Sequence, residues 1–158
     1  MNLDQQIQVL MDQAPLYGSS PEEVGLIAPI LKAIAEQLKH PQYYILQNLE
    51  QQWLMTTVAQ QIQPEPITKT IIHAFPNLES AKANANAFSD PQLVALPIPV
   101  VHVLFQMLAM KPIDSIVFIE TSANLQSGVE ISRENLQNLI ELRLQSLQGQ
   151  SQLPPDIA

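Results

Sequence analysis

Thirteen prolines divide this 158-residue chain into short segments. Proline fixes φ, lacks an N–H, and pushes the residue before it out of the α region. Each proline therefore tends to mark the edge of an element. Ala14-Pro15, His40-Pro41 and Lys111-Pro112 read as stops, and Ser20-Pro21 reads as a start. Gln63-Pro64-Glu65-Pro66 and Pro97-Ile98-Pro99 read as breaks between elements.

Between these marks the hydrophobic period first changes at Tyr43. Leu3, Ile7, Leu10 and Ala14 recur at helical spacing, with Asp and Gln between them. This predicts a short amphipathic helix. Ser20 then caps a second helix, with Pro21 at its first position and Glu23 where a capping box places its acid. Val24, Ile27, Leu31, Ile34 and Leu38 form its stripe, which keeps phase across Pro29, so a kink is expected there. From Tyr43 the residues favour strands. Residues 43–46 and 53–58 are two strands joined by a hairpin loop over 48–52, and 67–75 is a third, making an antiparallel meander. Asn77 caps a small-sided helix that ends near Phe88-Ser89-Asp90-Pro91. A strand over 93–96 stops at the Pro97-Ile98-Pro99 break, and residues 100–110 form a helix apolar nearly all round. Ile116-Val117-Phe118-Ile119 is an inner strand covered on both faces. Residues 120–128 read as a polar loop, 129–131 as a last short strand, and Ser132 as the cap of a helix burying Leu136, Leu139, Ile140, Leu144 and Leu147.

The order predicts an α+β fold with a mixed five- to six-stranded sheet. An N-terminal meander is followed by strand–helix–strand units, and a helical pair precedes both. One domain spans 1–148, with 1–40 as a helical appendage and 42–147 as the core. Residues 149–158 are expected to be a disordered tail.

Composition narrows the function classes. The formal charge is −8 with no basic run, so the electrostatic footprint of nucleic-acid binding is missing. There is no Cys, hence no disulfide, thiolate nucleophile or cysteine metal site. The most apolar stretch, 94–110, contains Pro97, Pro99, His102 and Gln106 and is too short and too broken for an integral membrane segment. Met1-Asn2-Leu3-Asp4-Gln5 carries an acid where a signal peptide wants a base, so a cytoplasmic location is expected.

No Gly-x-Ser-x-Gly, Ser-x-x-Lys or glycine-rich phosphate loop occurs. No catalytic residue, metal ligand or cofactor is assigned. The three histidines, His40, His73 and His102, stand apart in sequence. His102 and Gln106 form an i, i+4 polar pair on the apolar helix, facing either a pocket or a neighbouring loop. Glu120-Thr121-Ser122-Ala123-Asn124 follows the inner strand, at the carboxyl end where open sheets place ligands. The candidate ligand residues are therefore His102, Gln106, Glu120, Thr121 and Asn124. The same loop also fits a solvated turn. Trp53, the single tryptophan, is either an interface anchor or a core residue. Leu3, Ile7 and Leu10 are the candidate interaction face of the first helix.

Several segments carry a resemblance: Trp53-Leu54-Met55-Thr56-Thr57, Ala74-Phe75-Pro76 with Glu79-Ser80-Ala81, Leu96-Pro97-Ile98-Pro99, and Ile113-Asp114-Ser115-Ile116-Val117-Phe118. Residues 42–147 resemble the N-terminal domain of the enhanced serine sensitivity B (SseB-like) family. The resemblance implies a meander, a short helix, an apolar helix and an inner strand, and it implies no activity. Glu120-Thr121 stands where that family tends to carry Asn-Pro, and the N-terminal helical pair is not one of its hallmarks.

The expected function is a non-enzymatic protein-interaction, assembly or regulatory module with a protein partner or self-association. A small-molecule sensor with a pocket near 120–124 is the alternative. A hydrolase built on His73 or His102 with a carboxylate comes third.

Overall fold

The computed structural model describes residues 2–60, 67–87, 92–121 and 124–152. The expected turn at 63–66, the helix end at 88–91, and Ser122 and Ala123 lie outside the described residues.

Helix α1 (Leu3–Asp12) opens on a capping box. Asn2 Oδ1 accepts the Gln5 N–H at 2.8 Å, and Gln5 Oε1 accepts the Asn2 N–H at 3.0 Å. A 3-10 turn over Ala14–Tyr17 follows, as Pro15 stops the α-helix. Helix α2 (Pro21–Gln37) is capped by Ser20, whose Oγ accepts the Glu23 N–H at 3.2 Å. Glu23 does not complete the box, because its carboxylate accepts the Ser19 hydroxyl instead. The helix runs through Pro29 as one element, with Pro29 exposed.

Strands β1 (Gln42–Gln47), β2 (Thr56–Gln60) and β3 (Ile67–Phe75) lead to helix α3 (Leu78–Ala87), which Asn77 caps through the Ser80 N–H at 2.8 Å. Strand β4 (Val94–Pro99), helix α4 (Val100–Ala109), strands β5 (Ser115–Thr121) and β6 (Asn124–Ser132), and helix α5 (Arg133–Gln152) complete the order. Ser132 caps α5 through the Asn135 N–H. The fold is α+β with a mixed six-stranded sheet in the order β4-β1-β3-β5-β6, and β2 pairs β3 beside that path. Among the described residues only β3 and β5 pair parallel, and the other strand pairings are antiparallel.

The expected three-strand meander is corrected. The hairpin loop forms, but β1 and β2 share no ladder beyond a single Gln47–Trp53 bridge. Both edges of β1 are occupied. β4 pairs along all six residues, and the end of β3 pairs with Tyr44 and Ile45. The returning chain therefore moves on to the free length of β3, where Thr56–Gln60 pairs with Ile67–Ile71. The break at Pro97-Ile98-Pro99 is also corrected. β4 runs through both prolines, which an edge strand tolerates because its outer N–H groups need no partner. The polar loop at 120–128 is mostly strand, since β5 extends to Thr121 and β6 starts at Asn124. The tail expected from Gly149 continues as α5 to Gln152, and 153–158 lie outside the described residues.

The sheet has helices on both faces. One face packs against α1, α2, α4 and α5 through Leu10, Leu31, Tyr43, Ile72, Leu104, Met107, Phe118 and Leu136. The other packs against α3 through Leu46, Phe75, Ala81 and Ile119. Residues 1–40 contribute to the larger core, which contains Leu10, Ala14, Val24, Leu31 and Ile34. The α5 stripe is narrower than expected. Leu136 and Ile140 are buried, whereas Leu139 is 47% exposed and Leu142 63%, because α5 rests on α2 and α4 from one side. Among the described residues no helix is long and apolar enough to cross a membrane.

Candidate functional site

The expected ligand residues do not converge. His102 lies in the first turn of α4, and its ring Nε2–H donates to the Gln6 carbonyl at 3.1 Å. Burial holds its pKa below the ordinary 6.5, against an opposing pull from that hydrogen bond. The Gln6 side chain accepts the Val101 N–H at 3.0 Å and donates to the Pro41 carbonyl at 2.8 Å. His102 thus belongs to a seam joining α1, α4 and the start of β1.

Glu120 is equally engaged. Its carboxylate is buried and accepts the Lys39 N–H at 3.0 Å and the Tyr43 hydroxyl at 3.2 Å. His40 Nε2 donates to the Glu120 backbone carbonyl at 2.8 Å, and its ring meets Tyr43 edge-on. Burial, reinforced by the Glu120 charge, pushes the Tyr43 hydroxyl well above its ordinary pKa. The cluster fixes the α2–β1 connection against the end of β5. Thr121 is exposed in the β5–β6 hairpin opposite Asn124, whose side chain lies outside the described residues. Ser122 and Ala123 lie outside the described residues, and Glu120 and Thr121 do not line the groove described below.

The expected interaction face is buried as well. Leu10 is 1% exposed, and Leu3 and Ile7 pack half-buried against the same core. Trp53 is only 7% exposed. Helix α1 turns its apolar side to α2 and α4.

The third expectation needs a histidine meeting an acid. His73 sits half-buried on β3, stacked near Phe75 at 6.2 Å, and burial lowers its pKa. Among the described residues neither His73 nor His102 hydrogen-bonds a carboxylate, and no cluster of His, Asp and Glu fit to hold a metal occurs. His40 reaches Glu120 through the backbone, not the carboxylate.

A different constellation does form. A groove of about 730 Å³ opens between the C-terminal half of α4 and the segment that follows β1. Trp53, Met55, Phe105, Leu108, Ala109 and Met110 supply its apolar wall, and Ser19, Gln51, Gln52 and Gln106 its polar groups. It unites Trp53 with Gln106, two residues singled out for separate reasons. It contains none of His102, Glu120 and Thr121.

Asn48 builds the near wall. Its Oδ1 accepts the N–H groups of Glu50 and Gln52 at 2.9 and 3.0 Å, and its own N–H donates to the Gln52 carbonyl at 3.0 Å. This Asx-organised turn forces Gln51 to φ 65°, a left-handed conformation that costs a non-glycine residue about 1–2 kcal/mol. The Gln47–Trp53 bridge and the Leu54 N–H bonded to Leu46 O at 2.8 Å then press the indole toward α4. The far wall comes from helical spacing, since Phe105, Leu108 and Ala109 fall on one face of α4. Met55, Met110, Phe105 and the Asn48 turn were not expected in a site. The available signal was Gln51-Gln52 leading into the only Trp, together with an apolar helix carrying more apolar faces than one core uses.

A second depression is lined by Lys69, Lys111, Asp114, Arg133 and Glu134. Several of its charges serve the fold. Lys69 pairs with Glu130, which the bond to Lys69 and then one from Ser115 hold below the usual carboxylate range. Asp114 accepts the Thr70 N–H, and Arg133 donates to the Leu108 carbonyl.

Comparison of the sequence with protein-family models and with curated proteins gives no match to either.

Proposed function

We propose that this domain is a non-enzymatic binding and regulatory module, and that the groove between α4 and the Asn48–Met55 segment receives an uncharged small molecule. The groove lining carries this reading. It is concave, aromatic and sulfur-rich, and holds three glutamines and a serine but no ionisable side chain among the described residues. Its volume falls within the roughly 300–1,000 Å³ of small-molecule sites. An apolar wall with a few amides orients a neutral ligand and offers no acid, base or nucleophile pair. The resemblance of residues 42–147 to SseB-like domains brings no activity into this reading, which stands on the groove. A protein partner is the second reading. Leu49, 67% exposed at the tip of the same turn, favours it, because a side chain inserted into the groove would cover that leucine.

The test uses Trp53 as its own reporter, since the chain has one tryptophan. Titration with the uncharged dye Nile red is expected to quench Trp53 fluorescence saturably at one dye per chain. Ala109→Phe, which fills the groove from an exposed helix position, should abolish the quenching and leave the circular dichroism unchanged. Wild-type protein that shows no saturable quenching overturns the small-molecule reading.

A further inference from the structure

The Trp53 side chain is more than nine-tenths buried, yet its indole N–H has no acceptor among the described residues. Buried tryptophans ordinarily satisfy that donor. The nitrogen is not sealed in the core. Among the described residues the fully buried side-chain nitrogen left without a partner is Arg133 Nε, not the indole nitrogen. The Trp53 nitrogen therefore keeps contact with solvent, and Trp53 lines the groove. The amides of Gln51 and Gln106, also on the groove, make no side-chain hydrogen bond among the described residues.

We propose that the ligand of this groove is a flat, uncharged molecule bearing a carbonyl-type acceptor, which the Trp53 indole N–H receives. This rests on the groove being a small-molecule site, as argued above. The donor selects the ligand by what it loses. A molecule that displaces water from the groove without supplying an acceptor leaves a desolvated N–H behind, and that costs affinity. Met55 and Met110 are flexible and polarizable, so they adapt to many planar outlines and discriminate weakly by shape. The hydrogen bond is then the main source of selection. Charge is disfavoured from both directions. Among the described residues no cation lines the groove to meet an anion, and the chain itself carries −8. A cation would gain from the aromatic faces but would leave the indole donor unanswered. Gln106 and Gln51 supply further donors and acceptors at the rim.

The experiment uses the full chain and four probes: 1-indanone, its hydrocarbon counterpart indane, indane-1-carboxylate and phenyltrimethylammonium. One tryptophan gives one indole signal in a proton–nitrogen correlation spectrum. The expected result is that 1-indanone binds at least tenfold tighter than indane and moves the indole proton downfield. Trp53→Phe keeps the apolar ring and removes the donor, so it should bring 1-indanone down to the affinity of indane while leaving indane unchanged. If that variant does not fold, the downfield shift in wild-type protein decides. Equal binding of indane and 1-indanone, with shifts at residues 105–110, overturns the carbonyl inference and leaves the groove as an apolar site. Preferential binding of the carboxylate or the ammonium probe overturns it too. Binding of none of the four removes both the inference and the reading beneath it.

Discussion

Gln6 shows how much one side chain decides in this protein. It is 1% exposed on α1, the helix whose polar residues otherwise face water. Helix α4 begins directly after Pro99, which has no side chain able to cap it, so its first N–H groups need outside acceptors. Gln6 Oε1 supplies one to Val101. Replacing Gln6 by alanine leaves the Val101 N–H unpartnered, takes from the Pro41 carbonyl one of its two donors (the Val100 N–H stays), and opens a small cavity. The expected loss is about 2–4 kcal/mol, read from the midpoint of urea unfolding. Gln6→Glu keeps the acceptor but loses the donor and sets a carboxylate against a carbonyl, so it should not rescue the loss. This residue was not legible in advance. Periodicity places Leu3, Ile7 and Leu10 on the inner face and assigns every Gln between them to solvent. A buried amide that caps a helix 95 residues away leaves no local trace. Trp53 differs in this respect. It is the single tryptophan and so stands out in the sequence, but its place on the groove wall beside the Asn48 turn depends on the fold.

At the scale of elements, helices and caps are legible in the sequence because their signals are local. Ser20-Pro21, Asn77 and Ser132 cap as their side-chain chemistry dictates. Strand pairing is less legible because it is settled by which edges remain open. The β5–β6 hairpin is an example. Gly128 faces Ile119 in the register, and a Cβ placed there would lie 2.6 Å from Val117 Cγ1 and 3.3 Å from the Phe118 carbonyl oxygen. Valine is stiff at χ1 and the carbonyl belongs to the ladder, so neither yields easily. Gly128→Ala is expected to destabilise the protein by about 1–3 kcal/mol, with hydrogen exchange in 115–121 accelerating most. Gly25, inside α2, is the contrast. Its nearest neighbour is the tip of the Met11 side chain at 3.6 Å, an ordinary contact. Gly25→Ala should therefore stabilise the fold by about 0.5–1 kcal/mol through helix propensity, seen as a raised Tm.

For the whole molecule, the buried titratable groups define a pH window. His73 and His102 are held below their ordinary value of 6.5, chiefly by burial. The unfolded chain therefore takes up protons first as pH falls. Their contribution is complete above about pH 6.5 and declines below it. Glu130, held low by Lys69 and Ser115, adds a second loss below its ordinary 4.5. Tyr43 acts in the opposite sense. Its raised pKa keeps the native hydroxyl protonated while the unfolded one ionises, so stability falls as pH rises past 10. Chemical denaturation across pH should show a plateau between about 6.5 and 10 with a two-stage decline on the acid side. His102→Gln should flatten the first stage relative to wild type, whatever it does to the plateau height.

The seam between α1 and α4 also has a consequence in time. The Gln6 contacts to Val101 and His102 span 95 and 96 residues. At ordinary synthesis rates of about 5–20 residues per second, the amino-terminal helix emerges roughly 5–20 s before the residues it must cap exist. Through that interval Leu3, Ile7 and Leu10 have no α4 to rest on. A chaperone or a nascent neighbour would meet them as an apolar stripe that the finished protein hides. Moving residues 1–40 behind 152 by circular permutation would shorten that wait and should raise the soluble yield at high expression without altering the mature fold.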